Sequence, residues 1–258
     1  MALFNDGLIS TINDLMNYET SITDVAGTEG IDTSIKLQLA QDEIAQQLLG
    51  FLLRRDDGEW AIGSGTQRRR QRGVSDVVVT DELCRWHTLR ALAMIFRDAF
   101  DNQLNDRYEG KWQNYERLQA EAERLYLTNG VGLVWTPAPR PAAPEITTTR
   151  GPSIAGTYCF AYSWVTQDGS EGQCGDAASI TLDAQTQAVV SCGTAPSGIS
   201  GWNLYAGASL DGLALQNTAP LAPVDHWAQG PPLRSGPPPG AGQPASRWLV
   251  DDHRLRRG

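Results

Sequence analysis

The sequence predicts an α plus β chain built in parts. An N-terminal α-helical bundle is expected over residues 1–136, an all-β sandwich over 145–229 and an extended tail over 230–258. Three observations carry this reading. Apolar residues recur at the helical period up to about residue 127. After the proline cluster PAPRPAAP at 137–144, a stiff hinge, the period changes to the alternation of strands. Beyond Gly230 the stretch GPPLRSGPPPGAGQPAS is too rich in proline and glycine to bury a core, so the tail should be extended and dispensable for folding.

Leu8, Ile12 and Leu15 give a first helix over roughly 2–18, closed by a turn at AGTEG. Asp32 or Thr33 can cap a second helix, whose apolar face is marked by Ile35, Leu39, Leu48 and Leu52 and which runs to about Arg55. The polar, glycine-bearing stretch RRDDGEWAIGSGTQRRRQRG follows; it is long for a connection in a compact domain. Thr80 caps a third helix, with Asp81 and Glu82 where the helix dipole favours anions and Trp86, Leu89, Ala93, Phe96 and Phe100 along one face. DNQLND interrupts it, and Asp106 with Glu109 has the spacing of a capping box for a last helix. That helix places Tyr108, Trp112, Tyr115, Ala122 and Tyr126 on one face and ends at Gly130 in a left-handed cap, followed by the short apolar VGLVW.

In the β half, GTYCFAYSWVT alternates Tyr158, Phe160, Tyr162 and Trp164 with Cys159, Ala161, Ser163 and Val165, and Asp168-Gly169 signals a turn. About seven short strands fit between Glu145 and Trp227, the spacing of a small sandwich. The tail ends in RWLVDDHRLRRG, with Trp248, Leu249 and Val250 as an apolar anchor.

A net charge of −9 over 258 residues argues against a general nucleic-acid binder. The start MALFNDGLIS lacks a basic n-region, so no secretory signal is expected; nor does any apolar run approach the roughly 20 residues of a membrane span. The four cysteines have no CxxC spacing and read as reduced thiols. His87, His226 and His253 lie apart, and no metal, nucleophile or phosphate-cradle motif occurs. DGSEGQCGD has the oxygen ligands for loose calcium binding but lacks the ligand spacing of an EF-hand. The expectation is a protein that is not an enzyme and uses no cofactor and no metal. One polar feature stands out: Arg68, Arg69, Arg70 and Arg72 within five residues of an acidic chain. Guanidinium forks suit phosphates and carboxylates alike, so DNA, an acidic protein partner and plain solvation all fit.

The succession LQLAQDEIAQQLLGFLL, long loop, TDELCRWHTLRALAMIFRDAF and DRYEGKWQNYERLQAEAERLY resembles the head–tail adaptor (connector) ring proteins of tailed bacteriophages. Lys111 and Tyr115 with the acidic residues after them are similar to a Lys-x-x-x-Tyr motif, followed by Glu, in the closing helix of that family. The likeness covers about half the chain. GTYCFAYSWVTQDGSEG and PSGISGWNLYAG resemble immunoglobulin-like or fibronectin type III-like modules appended to phage structural proteins, so the sandwich is expected to be immunoglobulin-like.

The resemblance implies a virion neck protein made in the host cytoplasm. It would form a homo-oligomeric ring of about twelve subunits between the portal protein and tail or neck proteins, with no membrane partner. The arginine loop and tail anchor would meet neighbours, with non-specific contact to packaged DNA open to the loop. The alternative is a virion decoration or surface-binding protein whose sandwich recognises a host surface or glycan; exposed Trp164, Trp202 or Trp227 would favour it.

Overall fold

In the computed structural model, residues 1–55, 72–103 and 106–250 are described. They form two compact units with an unexpected division of the chain. The helical unit comprises Gly7–Leu133 and the chain from Ala245 onward. The β-rich unit comprises Met1–Asp6 and Val134–Pro244. Its main body, Val134–Pro244, is therefore inserted between Leu133 and Ala245.

Among the described residues the helical unit holds five α-helices: α1 (Ile12–Tyr18), α2 (Ile22–Glu29), α3 (Thr33–Arg55), α4 (Asp81–Gln103) and α5 (Glu109–Asn129). The single helix expected over 2–18 is shorter. AGTEG, expected as a turn, lies mostly within α2, because the left-handed residue that ends a helix is Gly30, at φ +67°, and not Gly27. Asp32 accepts from the backbone N–H of Ser34 at 2.8 Å and starts α3. Thr80 receives the N–H of Leu83 at 3.3 Å and caps α4. The residue that caps α5 is Tyr108 in place of Asp106, whose carbonyl accepts from the N–H of Glu109.

α4 is the central element, packing against α1, α2, α3 and α5. Its Leu83, Trp86, Leu89, Leu92, Ile95 and Phe96 are all buried. The rings of α5 are core: Tyr115 stacks on Phe96 at 5.4 Å, Trp112 on Phe100 at 5.7 Å, and Tyr126 meets Trp86 at 5.8 Å. On α3 the expected apolar face is split. Leu48 and Leu52 are buried against the bundle, whereas Ile35 and Leu39 are exposed.

After α5, Gly130 has φ +112° and an extended ψ in place of a left-handed cap, so the chain passes directly into strand β1 (Val131–Leu133). β1 is buried throughout and pairs antiparallel with β9 (Arg247–Leu249) from the tail.

The β-rich unit holds β2 (Glu145–Arg150), β3 (Gly156–Thr166), β4 (Ala178–Leu182), β5 (Thr186–Ser191), β6 (Ile199–Gly207), β7 (Ala214–Leu215) and β8 (Trp227–Ala228). They form a four-stranded sheet in the order β4-β3-β6-β7 and a three-stranded sheet in the order β2-β5-β8, every pair antiparallel. Phe160, Tyr162 and Trp164 of β3 share one core with Trp202 and Leu204 of β6 and Ala188 and Val190 of β5. The segment expected as a proline hinge is packed: Ala138 is fully buried and Pro141 is buried. Nor is the tail free before Ala245. Leu233 packs against the core, the carbonyl of Pro237 accepts from Leu215 N–H at 3.0 Å, and Gln243 is 2% exposed. A sequence without apolar runs is held here by backbone and amide hydrogen bonds, which hydropathy does not register.

Candidate functional site

Of the arginine cluster, Arg68, Arg69 and Arg70 lie outside the described residues. Arg72 is partly buried and already engaged with a neighbour. It precedes a tight 3-10 turn, Val74–Asp76, in which the Asp76 carboxylate accepts the N–H of Gly73 at 3.2 Å.

The tail anchor is fully placed, and the structure shows what receives it. Within the helical unit β1 is flanked on both sides. On one side Val77 bridges Leu133 and the N–H of Val78 donates to the carbonyl of Gly132 at 2.9 Å. On the other side β9 aligns Leu249 with Val131, Trp248 with Gly132 and Arg247 with Leu133. The backbone N–H and the hydroxyl of Ser246 both donate to the carbonyl of Leu133, at 2.9 and 3.1 Å.

Two glycines shape the seat. A Cβ on Gly132 would lie 3.1 Å from the Cβ of Ala245 and 3.4 Å from the Trp248 ring. One on Gly130 would lie 2.9 Å from Val250, at a positive φ that other residues avoid. Glycine here permits close approach of the tail. Trp248 and Val250 keep 54% and 48% of their surface exposed, while Leu249 is partly buried. The tail anchor thus docks on its own helical unit, where the sequence suggested a hook for a neighbour. The glycine interrupting the apolar run VGLVW was the available signal for this seat.

Lys111 and Tyr115, one turn apart on α5, converge on one carboxylate. The Lys111 ammonium pairs with Glu19, just after α1, and the Tyr115 hydroxyl donates to the same oxygen at 3.2 Å. Burial pushes the Glu19 carboxyl up, but the hydrogen bond and charge of Lys111 outweigh it and leave the pKa lowered. Burial, then the Glu19 charge, push the Tyr115 hydroxyl up to about 12. Glu19 is the partner of Lys111 and Tyr115 that the sequence did not reveal.

His87 is fully buried in α4. Its Nε2 donates to the carbonyl of Leu37 at 2.9 Å, because a carbonyl can only accept, which makes Nδ1 the acceptor for the Ser10 hydroxyl at 2.5 Å. Ser10 is itself 1% exposed. The pair resembles a catalytic arrangement only in its atoms; with both groups sealed, it ties the N-terminal segment, α3 and α4 together.

In the β-rich unit, Trp164 and Trp202 are core residues at 2% and 0% exposure. Trp227 is partly exposed and lines an open cleft of about 540 Å³ with Asn217, Asp225 and Arg234. In the DGSEGQCGD stretch the Glu171 carboxylate accepts from Ser163 and from Tyr205, the latter at 2.5 Å. Among the described residues no group of three or more His, Cys, Asp and Glu is placed to hold a metal ion, and no helix is long and apolar enough to cross a membrane. The four cysteines are free. No protein-family model matches the chain, and no curated protein matches it.

Proposed function

We propose that this chain is a structural virion protein, a head–tail adaptor that assembles as a ring of about twelve copies between the portal and the tail of a tailed phage. The observation that supports the reading is the convergence of Lys111 and Tyr115 on Glu19. The residues that carry the adaptor likeness do a definable job, fastening the last helix to the first across a five-helix bundle centred on α4. The insertion adds a β-rich unit without interrupting that bundle, since it enters and leaves at the adjacent strands β1 and β9. Arg68, Arg69, Arg70 and Arg72 are assigned to contact with the portal, a neck protein or DNA.

Copy number in purified virions, measured by mass spectrometry against the major capsid protein, tests the reading. About a dozen copies per particle is the expected result; hundreds would indicate decoration, and none would remove the virion role. The decoration or surface-binding alternative is favoured by one feature, the cleft lined by Trp227, Asn217, Asp225 and Arg234, a mix of aromatic and polar residues of the kind that suits a saccharide.

A further inference from the structure

Helix α3 is apolar on two opposite faces. One carries Leu37, Ala40, Ile44, Leu48, Phe51 and Leu52, all buried within the unit. The other carries Ile35, Leu39, Leu49 and Leu53, which are 55%, 43%, 41% and 48% exposed. An ordinary surface helix has one apolar stripe. The outer face of α5 shows the usual alternative, with Gln113 bonded to Glu109 and Arg117 paired with Glu121.

The outer residues of α3 step by 4, 3, 4, 3 and 4 through Ile35, Leu39, Asp42, Gln46, Leu49 and Leu53. Eighteen residues are about five helical turns, so all six fall in one narrow line along the helix. The line is also palindromic about position 44. Ile35 mirrors Leu53, Leu39 mirrors Leu49, and Asp42 mirrors Gln46.

The geometry points to a second copy of this chain as the occupant of that line, with the two α3 helices antiparallel across a two-fold axis at residue 44. In that register Ile35 meets Leu53 of the other copy and Leu39 meets Leu49, so each of the four aliphatic side chains is covered and each pair occurs twice in the dimer. The central polar pair is complementary as well. The Gln46 amide of one copy donates to the Asp42 carboxylate of the other, an acceptor that within the chain receives Gln38 at 3.0 Å and retains free lone pairs. A parallel arrangement would set Asp42 against Asp42. The self-complementarity is what an isologous interface requires, and it closes on itself, so it describes a dimer of free subunits and not a step in a cyclic ring. It does not depend on the adaptor reading. Four aliphatic side chains and one polar pair per copy make a small contact, for which a reversible dimer with a dissociation constant on the order of 10 µM is expected.

Sedimentation velocity on the full chain between 1 and 200 µM, concentrations chosen around that order of magnitude, tests this with three proteins. The unaltered chain should pass from monomer to dimer. Leu39→Glu, at a 43% exposed site that leaves the far-UV spectrum unchanged, should remain monomeric at the top concentration. Adding Leu49→Lys to it should restore the dimer, since two-fold pairing brings each new glutamate against the partner's new lysine. A monomer throughout for the unaltered chain would overturn the proposal. So would self-association indifferent to Leu39→Glu, or association that the second substitution fails to restore.

Discussion

Replacing Ser10 by alanine removes the hydroxyl that donates to Nδ1 of His87 at 2.5 Å and puts nothing polar in its place. His87 is 0% exposed, and its other nitrogen is already committed to the Leu37 carbonyl. The tautomer cannot swap to satisfy Nδ1 without breaking that second bond. An orphaned buried acceptor destabilises by roughly 1–3 kcal/mol, and the lost methylene-sized packing adds little because only one atom is removed. About 2 kcal/mol is therefore expected. Urea unfolding followed at 222 nm reads the helices at pH 7.5, and a midpoint shift at constant m-value gives the number.

Titration supplies a second reading of the same site. Burial lowers the His87 pKa, opposed by the Leu37 hydrogen bond and the Asp14 charge. The folded value lies below the unfolded value near 6.5. The unfolded chain therefore binds the proton first as pH falls, and the stability contributed by neutral His87, full above about pH 6.5, is lost down to the folded pKa. The loss from this residue approaches about 1.4 kcal/mol per pH unit within that window. His87→Leu, isolated from the carboxylate contributions by subtraction, should be less sensitive to acid between pH 7 and 5. A Ser10→Ala effect under about 0.5 kcal/mol, or an acid profile that His87→Leu leaves unchanged, would refute the assignment of this pair as a sealed tie.

In the tail seat, Gly132→Val drives a side chain into Ala245 and Trp248 and should release β9, seen as rapid amide exchange over residues 245–250 with the β-rich unit unchanged. A protected tail in that variant would show that the seat does not hold it. In the β-rich unit, Gly172→Ala places Cβ 2.4 Å from the carbonyl of Ala138, so thermal unfolding of that unit should fall by several degrees, an overpacking loss of about 1–3 kcal/mol. An unchanged transition would contradict the close approach of the two segments. Tyr115→Phe removes one of the donors to Glu19 and should destabilise the bundle by at most about 1 kcal/mol, while alkaline absorbance titration loses a tyrosine that ionises near 12. Loss of a tyrosine with an ordinary pKa instead would place the ring elsewhere.

The sequence by itself determined the order of elements, helices and then strands, because each reports a local period that burial on one side imposes. It marked the long helices α3, α4 and α5, the aromatic strand β3 and the turn at Asp168-Gly169. Tyr115 and Tyr126 were legible as packing residues from their spacing. Ile35 and Leu39 were not correctly placed, since periodicity tells which residues share a face and not what lies against it. Only the tertiary structure decided that α3 carries one covered and one uncovered apolar line. Glu19 was invisible as the partner of Lys111 and Tyr115 because it lies more than 90 residues away in the chain. The same holds for the division into units. Proline and glycine content correctly announced an extended tail, but composition cannot say where an extended chain finds hydrogen bonds. The carbonyls of Thr136 and Leu133, presented by already folded segments, bind the amide of Gln243 and the N–H of Ser246 and so make the tail part of the fold.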